Sequence, residues 1–337
     1  MRQHPILSLS APNLRGFFAQ CLQWKQDNAL RDDRVTHYVW QCQRAPQWAA
    51  VQQDLTAALA AAGNGVDKEK NAQWLNQLAA TLHTQWWGLL PGWHRMALED
   101  ERLILHIAVG APLDILQSAT GRFGHLLHAS AVQSAMPAAN APDTNAPHKS
   151  HNWHDWANAL KHLCLHGTCL HSESPLPPDL QQALAQTGWV PPGADKAPPV
   201  SQSTPAPHWE RLVYAPHWLP RQAPQPFLSA ENRQAVVIGA GLAGAATAYS
   251  LARRGWQVTV LDAHPQPAGG ASGLPVGLLV PHSSADDTRI SQISRAGIRC
   301  TLQRMAALLQ QGQDWFPSGV LEHCVQGRSK LPRHWPH

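Results

Sequence analysis

Apolar residues recur at helical spacing through Phe17, Phe18, Cys21, Leu22 and Trp24, after which Arg34-Val-Thr-His-Tyr-Val-Trp40 has the β-branched and aromatic content of a strand. Residues 55–62 and 74–87 predict two helices. Arg102-Leu-Ile-Leu-His-Ile-Ala-Val109 predicts a strand stopped by Gly110. Farther on, residues 153–165 and 180–187 predict helices, the second ending at Gly188, and Arg211-Leu-Val-Tyr214 predicts another strand. Helices and strands that alternate in this way predict an α/β layer. Two stretches break the pattern. Residues 134–150 are rich in Pro, Ala and Asn and lack the apolar content to pack, and residues 190–207 are rich in Pro and predict an extended, solvated loop. No internal repeat is visible.

The most regular pattern comes later, in the unbroken run from Ala235 to Asp262. Val236, Val237 and Ile238 predict a short apolar strand; Gly239, Ala240, Gly241, Leu242, Ala243 and Gly244 form a glycine turn that opens an Ala-rich helix. Gly255 closes that helix, and a second strand runs into Asp262. This order predicts a dinucleotide-binding βαβ unit. The three glycines permit a tight turn, close approach of a pyrophosphate and tight packing of helix on strand. The helix N-terminus offers N–H groups and a positive dipole end to the phosphates. Asp262, 18 residues beyond Gly244, stands where a carboxylate accepts both ribose hydroxyls, and an acid there argues against a 2′-phosphate.

A second glycine-rich loop follows, Gly269-Gly-Ala271-Ser272-Gly273, with Gly277 and Pro281 beyond it. Small residues let backbone N–H groups approach a bulky planar cofactor next to its pyrophosphate. A nicotinamide cofactor has no need of such a loop, whereas a flavin does, so the pattern predicts FAD. No nucleophile–His–Asp arrangement stands out, and flavin oxidation needs none. The catalytic residues are therefore not identified from sequence.

Composition narrows the picture only a little. The 337 residues have room for about two domains. Lys and Arg exceed Asp and Glu by 26 to 22, and a net charge of +4 does not announce a nucleic-acid binder. Six cysteines without a CxxC predict free thiols and a reducing compartment. The first ten residues lack a signal-peptide core, and no run of about 18 apolar residues occurs, so the expected location is the cytoplasm, with no membrane.

Three other constellations carry less. His162-Leu-Cys164-Leu-His166-Gly-Thr-Cys169-Leu-His171 contains zinc-type ligands. Side chains alternate along a strand, so these residues cannot all converge without a knuckle turn, and no metal site is expected. Trp86, Trp87 and Trp93 have the chemistry to stack bases, but without interleaved Arg or Lys they are expected in the core. Arg253 and Arg254, and Arg328, Lys330 and Arg333, are expected on solvated faces.

The block from Val236 to Val325 resembles the start of the FAD-dependent oxidoreductase domain of the MnmC family, the bifunctional tRNA 5-methylaminomethyl-2-thiouridine biosynthesis proteins. The resemblance rests on Gly-Ala-Gly-Leu-Ala-Gly at 239–244, Arg-Gly-Trp-Gln-Val at 254–258, Gly-Ala-Ser-Gly at 270–273, Gly277 and Pro281. Leu-Leu-Pro-Gly-Trp-His-Arg-Met-Ala-Leu at 89–98, the strand that follows, the helix from Trp153 and the strand near Arg211 are similar to the methyltransferase domain that precedes it in that family. The resemblance implies tRNA as partner and oxidative removal of the carboxymethyl group from 5-carboxymethylaminomethyl-2-thiouridine, through an imine that hydrolyses. It implies that Gly239, Gly241, Gly244 and Asp262 hold the ADP part of FAD and that Ser272 and Gly273 lie by the flavin.

Departures from the family pattern matter equally. No glycine-rich S-adenosylmethionine loop precedes Phe17, and the strand from Val35 continues as Gln-Cys-Gln where the family has a ribose-binding acid. Gly110 is followed by Ala111 in place of Gly-Asp, and an Asp-Gly-Phe-Ala-Pro motif is absent from 117–150. No methyltransferase activity is expected. The expected organisation is a degenerate Rossmann-like methyltransferase lobe at 1–215, a linker at 216–232 and an incomplete, D-amino-acid-oxidase-like FAD-binding domain at 233–337, short of a full domain of roughly 200–250 residues. Two alternatives stay open: a D-amino-acid-oxidase-like enzyme acting on a small amine, and a non-catalytic tRNA-binding remnant.

Overall fold

The computed structural model describes residues 6–9, 13–28, 35–61, 66–128, 153–172, 175–193, 211–218 and 233–321. Nearly all of the two Pro-rich stretches, most of 216–232, and Arg328, Lys330 and Arg333 lie outside them. The chain divides into two compact units, with the main division between Gln222 and Ala223.

The first unit is built on an eight-stranded sheet. In chain order its elements are β1 (Ile6–Leu9), α1 (Arg15–Asn28), β2 (Thr36–Cys42), α2 (Trp48–Ala61), α3 (Val66–Thr84), β3 (Gly92–Leu98), β4 (Leu103–Val109), α4 (Pro112–Ser118), β5 (Phe123–His128), α5 (Trp153–His162), β6 (Cys164–Ser172), α6 (Pro178–Gln186), β7 (Trp189–Val190) and β8 (Arg211–Tyr214). The strand order is β3-β4-β2-β1-β5-β6-β8-β7. β4, β2, β1, β5 and β6 are parallel; β3, β8 and β7 join antiparallel at the edges.

Burial on both faces explains the strand sequences. β4 is apolar at six of its seven positions because Ile104 and Ala108 point to one side while Leu103, Leu105, Ile107 and Val109 point to the other. On one face Leu7, Leu9, Val39, Leu126, Leu170 and Leu212 pack against α4, α5 and α6. On the opposite face Tyr38, Trp40, Leu105 and Ile107 pack against α1 and α3 through Phe17, Phe18, Leu75, Leu78 and Leu82. Proline at the first turn starts both α4 and α6, where a missing N–H costs nothing. Gly188, at φ +99°, ends the turn after α6 and lies so close to Pro216 that a Cβ would clash.

Several predicted boundaries move. The strand expected from Arg34 starts at Thr36; the helices expected from Leu55 and Trp74 start at Trp48 and Val66; the helix expected to Leu165 stops at His162, because Cys164 already belongs to β6. Trp86 and Trp87 lie past α3. Trp86 is packed, its indole N–H donating to Pro46 O at 3.0 Å, whereas Trp87 is exposed.

A histidine pair bridges two of the central strands. His37 Nδ1 and His106 Nε2 are 3.0 Å apart, with rings stacked at 5.3 Å. Burial first, then the charges of His37 and Arg95, push His106 down from 6.5 to about 4. Between those values the unfolded chain binds the proton that the folded chain refuses, so folding stability is complete above pH 6.5 and falls as the pH drops toward 4. The urea midpoint is expected to decline across that window, and less steeply in a His106→Gln variant.

The second unit contains β9 (Gln234–Ile238), α7 (Leu242–Ala252), β10 (Gln257–Leu261), a 3-10 turn at Ala271–Gly273 and α8 (Arg289–Leu308). β9 and β10 pair in parallel with α7 as crossover, as the sequence pattern predicts. Arg304 of α8 ties the two helices together. Its guanidinium lies over the Tyr249 ring, 4.8 Å from the centroid, and donates to Ala246 O at 3.0 Å. Val236, Ile238, Val260 and Leu261 on the two strands are exposed. Among the described residues of the chain, no helix is long and apolar enough to cross a membrane.

Candidate functional site

The glycine turn sits at the C-terminal ends of β9 and β10, where a parallel sheet presents its ligand crevice. Each glycine has a different reason to be there. Gly239 adopts φ +101°, and its N–H extends the ladder by donating to Leu261 O at 2.7 Å. A Cβ on Gly241 would meet Ser272 Oγ at 2.9 Å, which places the two residues face to face at the mouth of α7. A Cβ on Gly244 would lie 1.8 Å from Gly239 O, so the helix can enter only without a side chain at that point.

Gly241 is the N-cap of α7 and, as glycine, makes no side-chain cap bond of its own. The first helical N–H, that of Leu242, donates to Ser272 Oγ at 3.0 Å. Ser272 thus stands at the N-terminal end of the helix, brought there by the second glycine loop. That loop leans on the first: Ala268 N–H donates to Ala240 O at 3.1 Å, and a Cβ on Gly273 would meet Ala268 O at 2.3 Å. Ala271, Ser272 and Gly273 form the 3-10 turn, beside Gly241 rather than remote from it.

Asp262 follows directly on β10. One carboxylate oxygen accepts Ala240 N–H at 2.6 Å and the other accepts His264 N–H at 2.7 Å. These two bonds, that of Ala240 first, hold the carboxyl below its ordinary value, so it is charged at neutral pH. A carboxylate has about four acceptor positions, and two backbone bonds leave capacity for ribose hydroxyls. The residues fit an ADP group: a helix N-terminus entered through glycine for the pyrophosphate, glycines where side chains would intrude, and an anionic acceptor at the second strand end.

Some parts of the site carry no sequence signal. His264 contributes through its backbone N–H, and its ring covers Gly269, where a Cβ would approach it to 2.5 Å. Elsewhere in the second unit, Asp287 and Arg295 form a two-bond ion pair at 2.6 and 3.1 Å that fixes the start of α8. His282, Ser284, Thr288 and Ser291 hydrogen-bond around the same helix end.

In the first unit, side chains tie the loops beyond β1, β2 and β4 together. Asp54, buried, accepts Leu14 N–H at 2.9 Å at the head of α1 and pairs with Arg15 Nε at 3.3 Å. Gln41, at the end of β2, donates its amide to Gly110 O at 2.8 Å.

Residues 234–335 match the family described as FAD dependent oxidoreductase. A protein of Polaromonas sp. JS666 is 40% identical over 258 residues, covering 77% of this chain and 38% of its own length. One of Paracidovorax citrulli is 35% identical over 328 residues, 95% of this chain and 46% of its own. One of Pseudomonas putida is 52% identical over 98 residues, 29% of this chain and 15% of its own. All three are named tRNA 5-methylaminomethyl-2-thiouridine biosynthesis bifunctional protein MnmC. The chain spans less than half the length of these relatives. With a glycine turn of FAD-binding type in its second unit and relatives of one name along 95% of its length, the chain belongs to the MnmC family, and the cofactor of its second unit is FAD.

Proposed function

We propose that this chain takes part in the oxidative step of tRNA wobble-uridine modification in the cytoplasm, with residues 233–337 as its FAD-binding unit, 216–232 as a linker and 1–215 as a methyltransferase-derived lobe without methyl-transfer activity. The observation that carries the reading is the meeting of Gly241, Ser272 and the first N–H of α7, beside an ionised Asp262, in a unit that matches FAD-dependent oxidoreductases. The relatives' printed name supplies the class of substrate. When bound, FAD supplies the acceptor for hydride from the carbon next to the side-chain nitrogen, and the resulting imine hydrolyses to release the carboxymethyl group.

The chain's residues bind and orient. Gly239, Ala240, Gly241, Leu242, Ala243 and Gly244 form the turn that lets the pyrophosphate approach the N-terminus of α7, Asp262 accepts from the ribose, and Ala271, Ser272 and Gly273 line the path from pyrophosphate to ring. The expected absence of methyl transfer rests on the departures from the family pattern in the sequence; the bonds of Asp54 to the amide at the head of α1 and of Gln41 to Gly110 O support it.

The test is the visible spectrum of the purified chain, freed of unbound ligand. Two flavin bands are expected, and the released flavin is expected to be FAD. Asp262→Asn is expected to weaken FAD retention by about 10- to 100-fold, the worth of a hydrogen bond to a charged group. The loaded protein is then incubated with tRNA carrying the carboxymethylaminomethyl wobble uridine. Loss of the carboxymethyl group supports the proposal; flavin reduced by a free small amine but not by tRNA overturns the substrate class. Label transferred to tRNA from S-adenosylmethionine overturns the assignment of residues 1–215.

A further inference from the structure

We propose that His125, Cys169 and His171 form a site for one zinc-type divalent transition-metal ion, bound by two imidazoles and one thiolate with a fourth position open to water. The three ligand atoms lie within 4.8 Å of one another. Alternation along β6 puts Cys169 and His171, two residues apart, on one face of the sheet, while Leu170 between them is buried on the other. The third ligand comes from the neighbouring strand. β5 runs parallel to β6 with His125 in register with Cys169, and the His125 and His171 rings are 5.7 Å apart between centroids.

An irregularity in β6 creates this register. Phe123 pairs with Cys164 but His125, two residues on, pairs with Cys169, five residues on, so β6 accommodates three extra residues. Thr168 pins the excursion: its hydroxyl donates to Phe123 O at 2.6 Å and accepts Leu165 N–H at 2.9 Å, and Gly167 supplies φ +91°. This is a knuckle turn of the kind that alternation within one strand excludes. It leaves Cys164 outside the group and brings Cys169 in.

The chemistry of the group fits zinc. Two nitrogens and one sulfur suit a borderline-soft ion, and three protein ligands with one open position are the pattern of reactive zinc sites. Metal–ligand bonds of about 2.0–2.3 Å place tetrahedral ligand atoms about 3.5 Å apart, so closure needs side-chain shifts of only about 1 Å. Cys169 is buried, and Arg211 on β8 donates to its Sγ at 3.2 Å, a bond from outside the coordination sphere that orients the sulfur.

Cobalt(II) titration of the chelator-stripped full chain tests the proposal, because a bound thiolate gives a near-ultraviolet charge-transfer band that the chain's many exposed histidines cannot produce. One equivalent of cobalt is expected to saturate the band, and zinc is expected to displace it. Cys169→Ser is expected to abolish the band, His125→Gln and His171→Gln to weaken cobalt binding at least about 10- to 100-fold, and Cys164→Ser to leave it unchanged. Circular dichroism reports whether each variant folds. If the wild-type chain gives no thiolate band, or if the band survives Cys169→Ser or disappears with Cys164→Ser, the proposal fails. If Cys169→Ser does not fold, a band of undiminished affinity in both histidine variants equally overturns it.

Discussion

Replacing Gly244 by alanine is expected to strip the protein of its flavin, with a loss of affinity of about 100-fold or more. The new methyl would sit 1.8 Å from the Gly239 carbonyl oxygen and 2.9 Å from its carbon, and both are backbone atoms that no rotamer change can move aside. Overpacking of this kind typically costs about 1–3 kcal/mol where the surroundings yield. Here it must displace the turn itself, so the upper end of that range, about 100-fold in binding, is the smallest loss expected. Two neighbouring substitutions provide the scale. Gly239→Ala meets no atom but must hold φ +101°, at about 1–2 kcal/mol. Gly241→Ala meets only the hydroxyl of Ser272, which can rotate, and should be the mildest. Titration of the three apoproteins with FAD should rank their affinities as Gly241→Ala, Gly239→Ala, Gly244→Ala, from tightest to weakest. Equal retention by the Gly244 and Gly241 variants would mean that helix entry does not shape the phosphate site.

In the first unit, Trp40→Ala is expected to cost about 3–5 kcal/mol, as deletion of a large buried side chain does. Trp40 is 1% exposed, in the middle of the sheet and among the largest side chains of the core between β2, β4 and the helices α1 and α3. Domains are stable by only about 5–15 kcal/mol, so such a loss removes a large share of the total. Urea denaturation followed by circular dichroism should show a much lower midpoint, while Trp87→Ala, at an exposed ring, should shift it little. A Trp40 variant that melts like the parent would refute the placement of this core.

What the sequence made legible follows from where the physical constraint is local. A glycine at positive φ, a helix entering past a carbonyl and an acid at a strand end are all requirements of a short segment, so Gly239, Gly244 and Asp262 stood out together. β4 was visible because burial on both faces makes its run nearly continuous, and β8 because Arg211–Tyr214 is bounded by prolines and polar residues. Other elements carried weaker signals. α3 starts through Val66-Asp-Lys-Glu-Lys, which has no apolar stripe, and α2 starts through Trp48-Ala-Ala, where alanine hides the period. β1 has only four residues, too few for periodicity to separate strand from helix.

Partnerships between distant segments were not legible at all. Ser272 lies 30 residues from the N–H it accepts, and His125 lies 44 residues from Cys169. Strand order and register bring such pairs together, and neither leaves a mark on the residues themselves. The run from His162 to His171 shows only the ligands of one strand; His125 lies on the strand beside it.

The excursion at Leu165–Thr168 also bears on how this gene can drift. Its residues are held by Thr168 and by the backbone of Gly167, so its length is set from within. A codon lost or gained there passes along β6 as a shift of one residue, turning Leu170 outward and Cys169 and His171 into the helix-covered core. Substitutions at Leu165 and His166 are cheap to tolerate, but changes at Gly167 and Thr168, insertions and deletions are not. Homologous chains that keep the fold should therefore vary in spelling here while conserving the count.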